Sequence, residues 1–484
     1  MKKLYIILYV FLNLTTFSQT FEKRIVTEHF EGVSDIISSA DGYFFSLISF
    51  DVSNPWRYNS KIYKLDVNGD YVDSVEIVDE GYNYNMVRSL LLSNDTLFVI
   101  SSAYNIDLWS EGSDASIMIS KYSMELELIA DTIYGYINEV IDNIEVDEDG
   151  NLIGAALDSE SHVIAYKINP ADLFIMARKK YSFSSSVVNG GPRITESKKN
   201  DQYLFNQGGA LFSLDKNTLE FLDTLFFDSF ADMFMSKKEF DFCNDSIFFL
   251  PFEGFSLNES NDEVNEDMVL LKMSETNEIA TVIDTFWLYI ADTSTFCATK
   301  NCVSFIDGER FYFGGMHNYN VESTLYNEQY RWFLLYKMDV SGNVIWRKYY
   351  GGECNYNLIS VQATSDGGCI MSGNYFNFPE KEYPDIDAII IKVDSLGNMI
   401  NSSNIPMVMK NFIVYPNPAK EKIFIESDAS IDKVEIFDVS GIKIKKDIVN
   451  SNNYQTNISN LKKGLYFIRI YSNDSFYVEK LIIN

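Results

Sequence analysis

One short pattern, apolar-apolar-Lys-apolar-polar, recurs along residues 20–404 and limits the fold more than any other feature. Its copies are Ile62-Tyr63-Lys64-Leu65-Asp66, Ile119-Ser120-Lys121-Tyr122-Ser123, Ala165-Tyr166-Lys167-Ile168-Asn169 and Leu211-Phe212-Ser213-Leu214-Asp215, the last with serine for lysine. Leu270-Leu271-Lys272-Met273-Ser274, Leu335-Tyr336-Lys337-Met338-Asp339 and Ile390-Ile391-Lys392-Val393-Asp394 complete a set of seven. Successive copies lie 57, 46, 46, 59, 65 and 55 residues apart. Each is preceded by a turn dipeptide: Asp41-Gly42, Asn94-Asp95, Asp149-Gly150, Asn200-Asp201, Asn244-Asp245, Asp307-Gly308 and Asp366-Gly367. Such pairs tolerate the positive φ of tight hairpins, and β-rich runs follow every one.

A second turn follows the lysine strand, as at Val67-Asn68-Gly69-Asp70 and Ser341-Gly342-Asn343, and an outer strand such as Val344–Tyr350 lies beyond it. Four short antiparallel strands in about 55 residues make one propeller blade. A lone sheet cannot bury both faces, whereas blades fanned around an axis cover one another and lose most free edges. The expected architecture is therefore all-β, a seven-bladed β-propeller followed by a small C-terminal β-sandwich. Asn169-Pro170-Ala171-Asp172 reads locally as a helix start, but its place in the repeat makes it a turn before an outer strand. Thr20–Phe30 precedes the first full unit; its part Phe21–Thr27 has outer-strand character and is expected to pair into the last blade as a latch.

The turns on one side of each unit are short, while connections on the other side are long: Ser49–Lys61, Ala103–Ser116, Phe252–Met268, His317–Arg331 and Tyr375–Asp387. Aromatic residues on or beside them, Trp56, Tyr58, Tyr104, Trp109, Tyr319, Tyr326, Tyr330, Trp332 and Tyr375, suit sugar or protein surfaces, or else fold back on their own blades.

Met1–Gln19 has the form of a secretory signal: Lys2 and Lys3, the apolar run Leu4–Leu12, then Thr16-Phe17-Ser18 as a cleavage site. The expected boundaries are 1–19 signal, 20–404 propeller, 405–411 linker and 412–484 tail. No apolar run reaches membrane-spanning length. A formal net charge of −30 argues against nucleic acid as a partner, since phosphate binding relies on lysine and arginine. In an oxidising compartment Cys297 and Cys302 are the best disulfide candidates; alternatively Cys243, Cys297, Cys302, Cys354 and Cys369 are all small buried hydrophobes.

From Phe412 lysines become frequent and short alternating strands appear. Tyr415-Pro416-Asn417-Pro418 opens this region, Ile423-Phe424-Ile425 follows, and Asp438-Val439-Ser440-Gly441 forms a turn. Leu461, Gly464, Leu465 and Tyr466 precede Phe467–Ile470, and Lys480-Leu481-Ile482-Ile483-Asn484 ends the chain. This order resembles the type A C-terminal sorting domain of the type IX secretion system. The resemblance implies delivery through the periplasm to the outer-membrane surface or the medium, with two partners: the translocon, and a sortase-like peptidase that removes the tail. Arg347-Lys348-Tyr349-Tyr350-Gly351-Gly352 and Ile391–Asn398 are similar to a repeat common in proteins exported by that route. Asp-Ser/Thr-apolar tripeptides such as Asp73-Ser74-Val75, Asp131-Thr132-Ile133 and Asp223-Thr224-Leu225 resemble a bacterial O-glycosylation site.

Motifs for chemistry are sparse. There is no GxSxG, HExxH, Walker A or GxGxxG sequence, and His29, His162 and His317 fall in separate units. Glu145, Asp147 and Asp149 alternate before Gly150 and resemble a Ca2+ loop, or form an ordinary turn. The sequence thus points to a non-catalytic binding module with a glycan or protein ligand. The alternative is a secreted glycan- or peptide-degrading enzyme with its site in the propeller channel.

Overall fold

The computed structural model describes residues 19–484 except 27–29, 51–57, 79–80, 83, 105–115, 135–138, 159, 161, 183–192, 208–209, 227–232, 236–240, 245, 258–263, 277–278, 289, 291–292, 320–327, 381–385, 400–411, 439–442 and 473–474. Residues 1–18 of the expected signal, Trp56, Trp109, Tyr326, His29, Gly441 and the 405–411 linker fall outside the described residues.

Each of the seven copies is the third strand of an antiparallel sheet. Blades 1 to 6 span 30–77, 84–134, 140–181, 193–226, 233–287 and 295–351. Blade 7 takes three strands from 355–393 and its outermost from Phe21–Ile25, which runs antiparallel to Asp387–Val393 with Phe21 opposite Lys392 and Ile25 opposite Ala388. The latch is therefore real but shorter than expected, because Phe30 already belongs to the first strand of blade 1. Residues 169–174 form a turn and Ile175–Tyr181 the outer strand of blade 3, as the repeat requires.

The second strand of each blade lies between both neighbours, so strands such as Thr96–Tyr104 and Cys369–Phe376 are almost wholly buried and lack alternation. All seven seams are filled. Phe44 and Ile62 meet Val87 and Val99 between blades 1 and 2, and Phe45 and Tyr63 meet Ile370 and Ile390 between blades 1 and 7. Leu204 and Leu211 meet Phe248 and Leu271 between blades 4 and 5, and the largest cluster unites blades 5, 6 and 7 through Phe249, Phe311, Phe333 and Ile389. Ile119 with Ile144, and Ala165 with Phe212, fill the two seams flanking blade 3. Each large apolar side chain buried this way contributes about 1.5–3 kcal/mol. The ring is closed.

Of the recurring lysines, Lys392 of blade 7 stays with Asp366 and Val393 O of its own blade. In five of the seven blades the lysine ties one blade to the next. Its Nζ donates to a carbonyl in the last turn of the following blade: Lys64 to Met124 (2.6 Å), Lys121 to Ala171 (3.1 Å), Lys167 to Lys216 (3.3 Å), Lys272 to Val340 (2.7 Å) and Lys337 to Ser395 (2.9 Å). Blade 4 has Ser213 at this position. There Lys199 and Asn200 from the first turn reach Glu275 and Thr276 of blade 5 at 3.4 and 2.7 Å instead.

That same last turn needs one residue with positive φ. Gly69, Gly342 and Gly397 supply it in blades 1, 6 and 7, and a Cβ on Gly342 would come within 2.2 Å of the Phe286 ring. Leu126, Leu173 and Leu219 supply it in blades 2, 3 and 4. A leucine costs about 1–2 kcal/mol in that conformation. All three are buried, and burial returns a similar amount.

The tail is a five-stranded antiparallel sheet closed over its own core of Val414, Ile423, Ile425, Ile436, Ile468 and Leu481. Rather than two separate sheets, the expected sandwich is one continuous sheet organised around the long strand Lys422–Asp438. Its first half pairs with Phe412–Tyr415, its second half with Gly464–Ser472, and Lys443–Asn457 runs beside both.

Candidate functional site

The axis of the ring carries an ion pair that the sequence did not signal. The inner strand of blade 6 is split into Thr295–Cys297 and Val303–Phe305, and residues 298–302 bulge out between them. Gly314 holds both ends, accepting from Ala298 N (3.0 Å) and donating to Cys302 O (2.8 Å). Lys300 N donates to Ile359 O of blade 7 at 2.8 Å. Its side chain reaches across to blades 1 and 2, where Nζ lies 2.5 Å from Asp35 Oδ2 and 2.7 Å from Arg88 O. Asp35 also accepts from Leu90 N at 2.8 Å. Both charged groups are buried, so a lysine and a carboxylate already occupy the channel. Cys297 and Cys302 flank the bulge as buried free thiols, and the disulfide expected between them is not formed in this structure.

Elsewhere, arginine, tyrosine and carboxylate groups meet within single blades, linking the outer strand to residues at the start of the inner one. Arg24 donates to Glu353 (2.6 Å) and Tyr356 OH (2.9 Å) in blade 7, and Arg178 and Tyr166 both donate to Glu139 in blade 3. His162 and His317 sit in blades 3 and 6 and do not meet. Burial and the Arg347 guanidinium hold the His317 imidazole below its usual pKa.

The predicted aromatic residues separate into two groups. Tyr104 is fully buried and accepts a hydrogen bond from Tyr58 N at 2.9 Å; Tyr375 is buried as well. These are packing residues. Around blade 6 the picture differs. Tyr319 stacks on Phe296 with ring centroids 4.4 Å apart, under the buried guanidinium of Arg331 at 4.5 Å. Arg331 Nη1 donates to Asn357 Oδ1 at 3.1 Å. Beside it Tyr330 is 48% exposed and touches Phe378, and Trp332 lies 5.4 Å from His317, which also meets Tyr349. Among the described residues, the half-buried Tyr58 lies in blade 1, while Tyr319, Tyr330 and Trp332 gather at blades 6 and 7. Arg331, which anchors them, was missed because a lone arginine in a loop carries no sequence signal of burial.

The structure does not gather the expected calcium ligands. Glu145 accepts from Thr195 at 2.5 Å, Asp147 accepts from Tyr203 OH and Asn151 N (both 2.7 Å), and Asp149 pairs with Lys216 at 3.1 Å. Each carboxylate is turned to a different protein donor. Among the described residues, the carboxylates and imidazole that do converge are Asp158, Glu160 and His162, with Lys180 Nζ 2.6 Å from Asp158.

In the tail, the first and last sorting elements touch. Asn417 Oδ1 accepts from Ile482 N (2.9 Å), Ala419 N donates to Ile482 O (2.7 Å) and Asn484 N donates to Ala419 O (2.9 Å). Tyr415, Pro416, Asn417 and Pro418 are exposed, while Leu481 and Tyr466 are buried. Gly464 has φ +154°, and Lys480 lies opposite Phe467.

Comparisons with known proteins agree with this organisation of the tail. Residues 413–484 match the family described as the secretion system C-terminal sorting domain. The chain is accordingly exported by the type IX route to the cell surface or extracellular space. Curated proteins give no match. Among solved structures, BamB from Moraxella catarrhalis is similar at 7% identity and TM-score 0.40, covering 76% of this chain and 99% of that one. The WD40 domain of SCAP from fission yeast is similar at 10% identity and TM-score 0.36, covering 78% and 98%. Among the described residues, no helix is long and apolar enough to cross a membrane.

Proposed function

We propose that this chain is a non-catalytic binding module, delivered to the cell exterior after removal of an N-terminal signal and recognised through its tail by the translocon and a sortase-like peptidase. The observation that carries the non-catalytic reading is the Lys300–Asp35 pair. Each group is already engaged by the other, between inner strands that line the channel where the alternative, a glycan- or peptide-degrading enzyme, would place its site, and this supports the non-catalytic reading. Binding is assigned to the long-connection face at blades 6 and 7, around Tyr330 and Trp332. Rigid aromatic rings there offer contact area at low entropy cost to a glycan or protein surface. The test is glycan-array and surface-protein binding by the secreted chain, set beside hydrolysis assays on the same ligands. Binding without turnover, lost in Tyr330→Ala with Trp332→Ala, supports the module; turnover abolished by Lys300→Met supports the enzyme.

A further inference from the structure

On the opposite face, the turns of blades 6 and 7 border an open cleft of about 330 Å³ whose lining includes Arg310, Lys337, Ile345, Trp346, Ser395 and Leu396. Three of the recurring lysines are buried, and they differ in one respect. Lys167 pairs with Asp147 at 3.4 Å and Lys392 with Asp366 at 2.9 Å, each a carboxylate in the first turn of the same blade. In blade 6 that turn supplies Asp307, which instead clamps Arg310, with Oδ2 3.0 Å from Nε and 2.6 Å from Nη2. Lys337 is left with the Ser395 carbonyl at 2.9 Å and the Tyr312 ring face, and among the described residues no carboxylate lies within ion-pair distance of it. A buried ammonium whose nearest carboxylates, Asp307 and Asp394, stay beyond ion-pair distance is costly, and an anion that enters the cleft in direct contact relieves that cost.

We propose that this cleft binds a monoanionic carboxylate carried on an apolar group, with the carboxylate at Lys337 and the apolar part on Trp346, Ile345 and Leu396. The charge selects a monoanion: Asp307 already balances Arg310, and Asp307 and Asp394 would repel a second negative charge. The apolar part is selected by Ile345 and Leu396, which are 50% and 64% exposed at the rim. A free organic acid and the C-terminus of a peptide share this chemistry.

The test is calorimetric titration of the full chain with phenylacetate, with neutral phenylacetamide, and with a short apolar peptide as free acid and as amide. Phenylacetate or the free-acid peptide is expected to bind at least about tenfold more tightly than its amide. Tighter binding of phenylacetate identifies a small acid as the ligand, and tighter binding of the peptide identifies a chain terminus. Leu396→Glu, at an exposed position, is expected to abolish binding with an unchanged melting temperature. Lys337→Met is expected to erase the preference for acid over amide, provided it folds; the Leu396 variant carries the test otherwise. Equal binding of acid and amide, binding that survives Leu396→Glu, or no binding of either acid at millimolar concentration would overturn the proposal.

Discussion

Lys300 of blade 6 and Asp35 of blade 1 meet across the axis at 2.5 Å, so one buried ion pair joins elements 265 residues apart in sequence. Removing one partner leaves an uncompensated buried charge. Lys300→Met is therefore expected to destabilise the propeller by about 3 kcal/mol in urea unfolding. The double variant Lys300→Met/Asp35→Leu should lose less than the sum of the single losses. Additive losses would show that the two groups do not interact.

In blade 5 the recurring lysine, Lys272, acts on the next blade. Lys272→Met should cost about 1 kcal/mol by removing a charge-assisted bond to the Val340 carbonyl. Asn200→Ala should cost a similar amount, because Asn200 does that task where Ser213 replaces lysine. Chemical denaturation midpoints of the two variants measure both.

Tyr330 is the most open of the described aromatic residues predicted for the loop face, and Tyr104 is fully buried. Tyr330→Ala should weaken binding of any ligand found on that face while leaving the melting temperature within a degree or so, as usual for exposed substitutions. Tyr104→Ala should do the reverse, lowering stability by about 3 kcal/mol or more through a core cavity. Melting curves and binding isotherms of the pair separate the two roles.

In the tail, Glu435 accepts from Tyr471 (2.7 Å) and Lys443 (3.1 Å), and these partners with Lys433 outweigh burial to depress its pKa from 4.5 to about 2. A carboxylate whose folded pKa is lowered stabilises the fold above its unfolded pKa and loses that contribution as pH falls through the folded value. Protection of tail amides against hydrogen exchange should hold near neutrality and decline between pH 4.5 and 2. Glu435→Gln should flatten this dependence; an unchanged profile in that variant would assign the acid sensitivity elsewhere.

The propeller was legible because its cause is periodic. Five of the seven third strands carry a lysine that makes the same inter-blade bond, and turn dipeptides rich in Asn, Asp and Gly recur ahead of them. The features that occur only once were not legible. The bulge at 298–302 reads as an ordinary loop, and nothing in the sequence pairs Lys300 with Asp35. The Glu145–Asp149 run looked like a cation loop by spacing alone, whereas Tyr203, Lys216 and Thr195, which claim its carboxylates, come from the next blade. Aromatic content located a face but could not tell Tyr104, turned inward, from Tyr330, turned outward.

Closure of the ring by its first strand is tested most directly by hydrogen exchange along Asp387–Val393, in the intact chain and in one lacking Phe21–Ile25. The structure predicts slow exchange in the intact chain. Deletion should unprotect the amides that face the missing strand and lower the melting temperature by several degrees. Equal protection in both chains, with no change in melting, would contradict a wheel sealed by its own N-terminal strand.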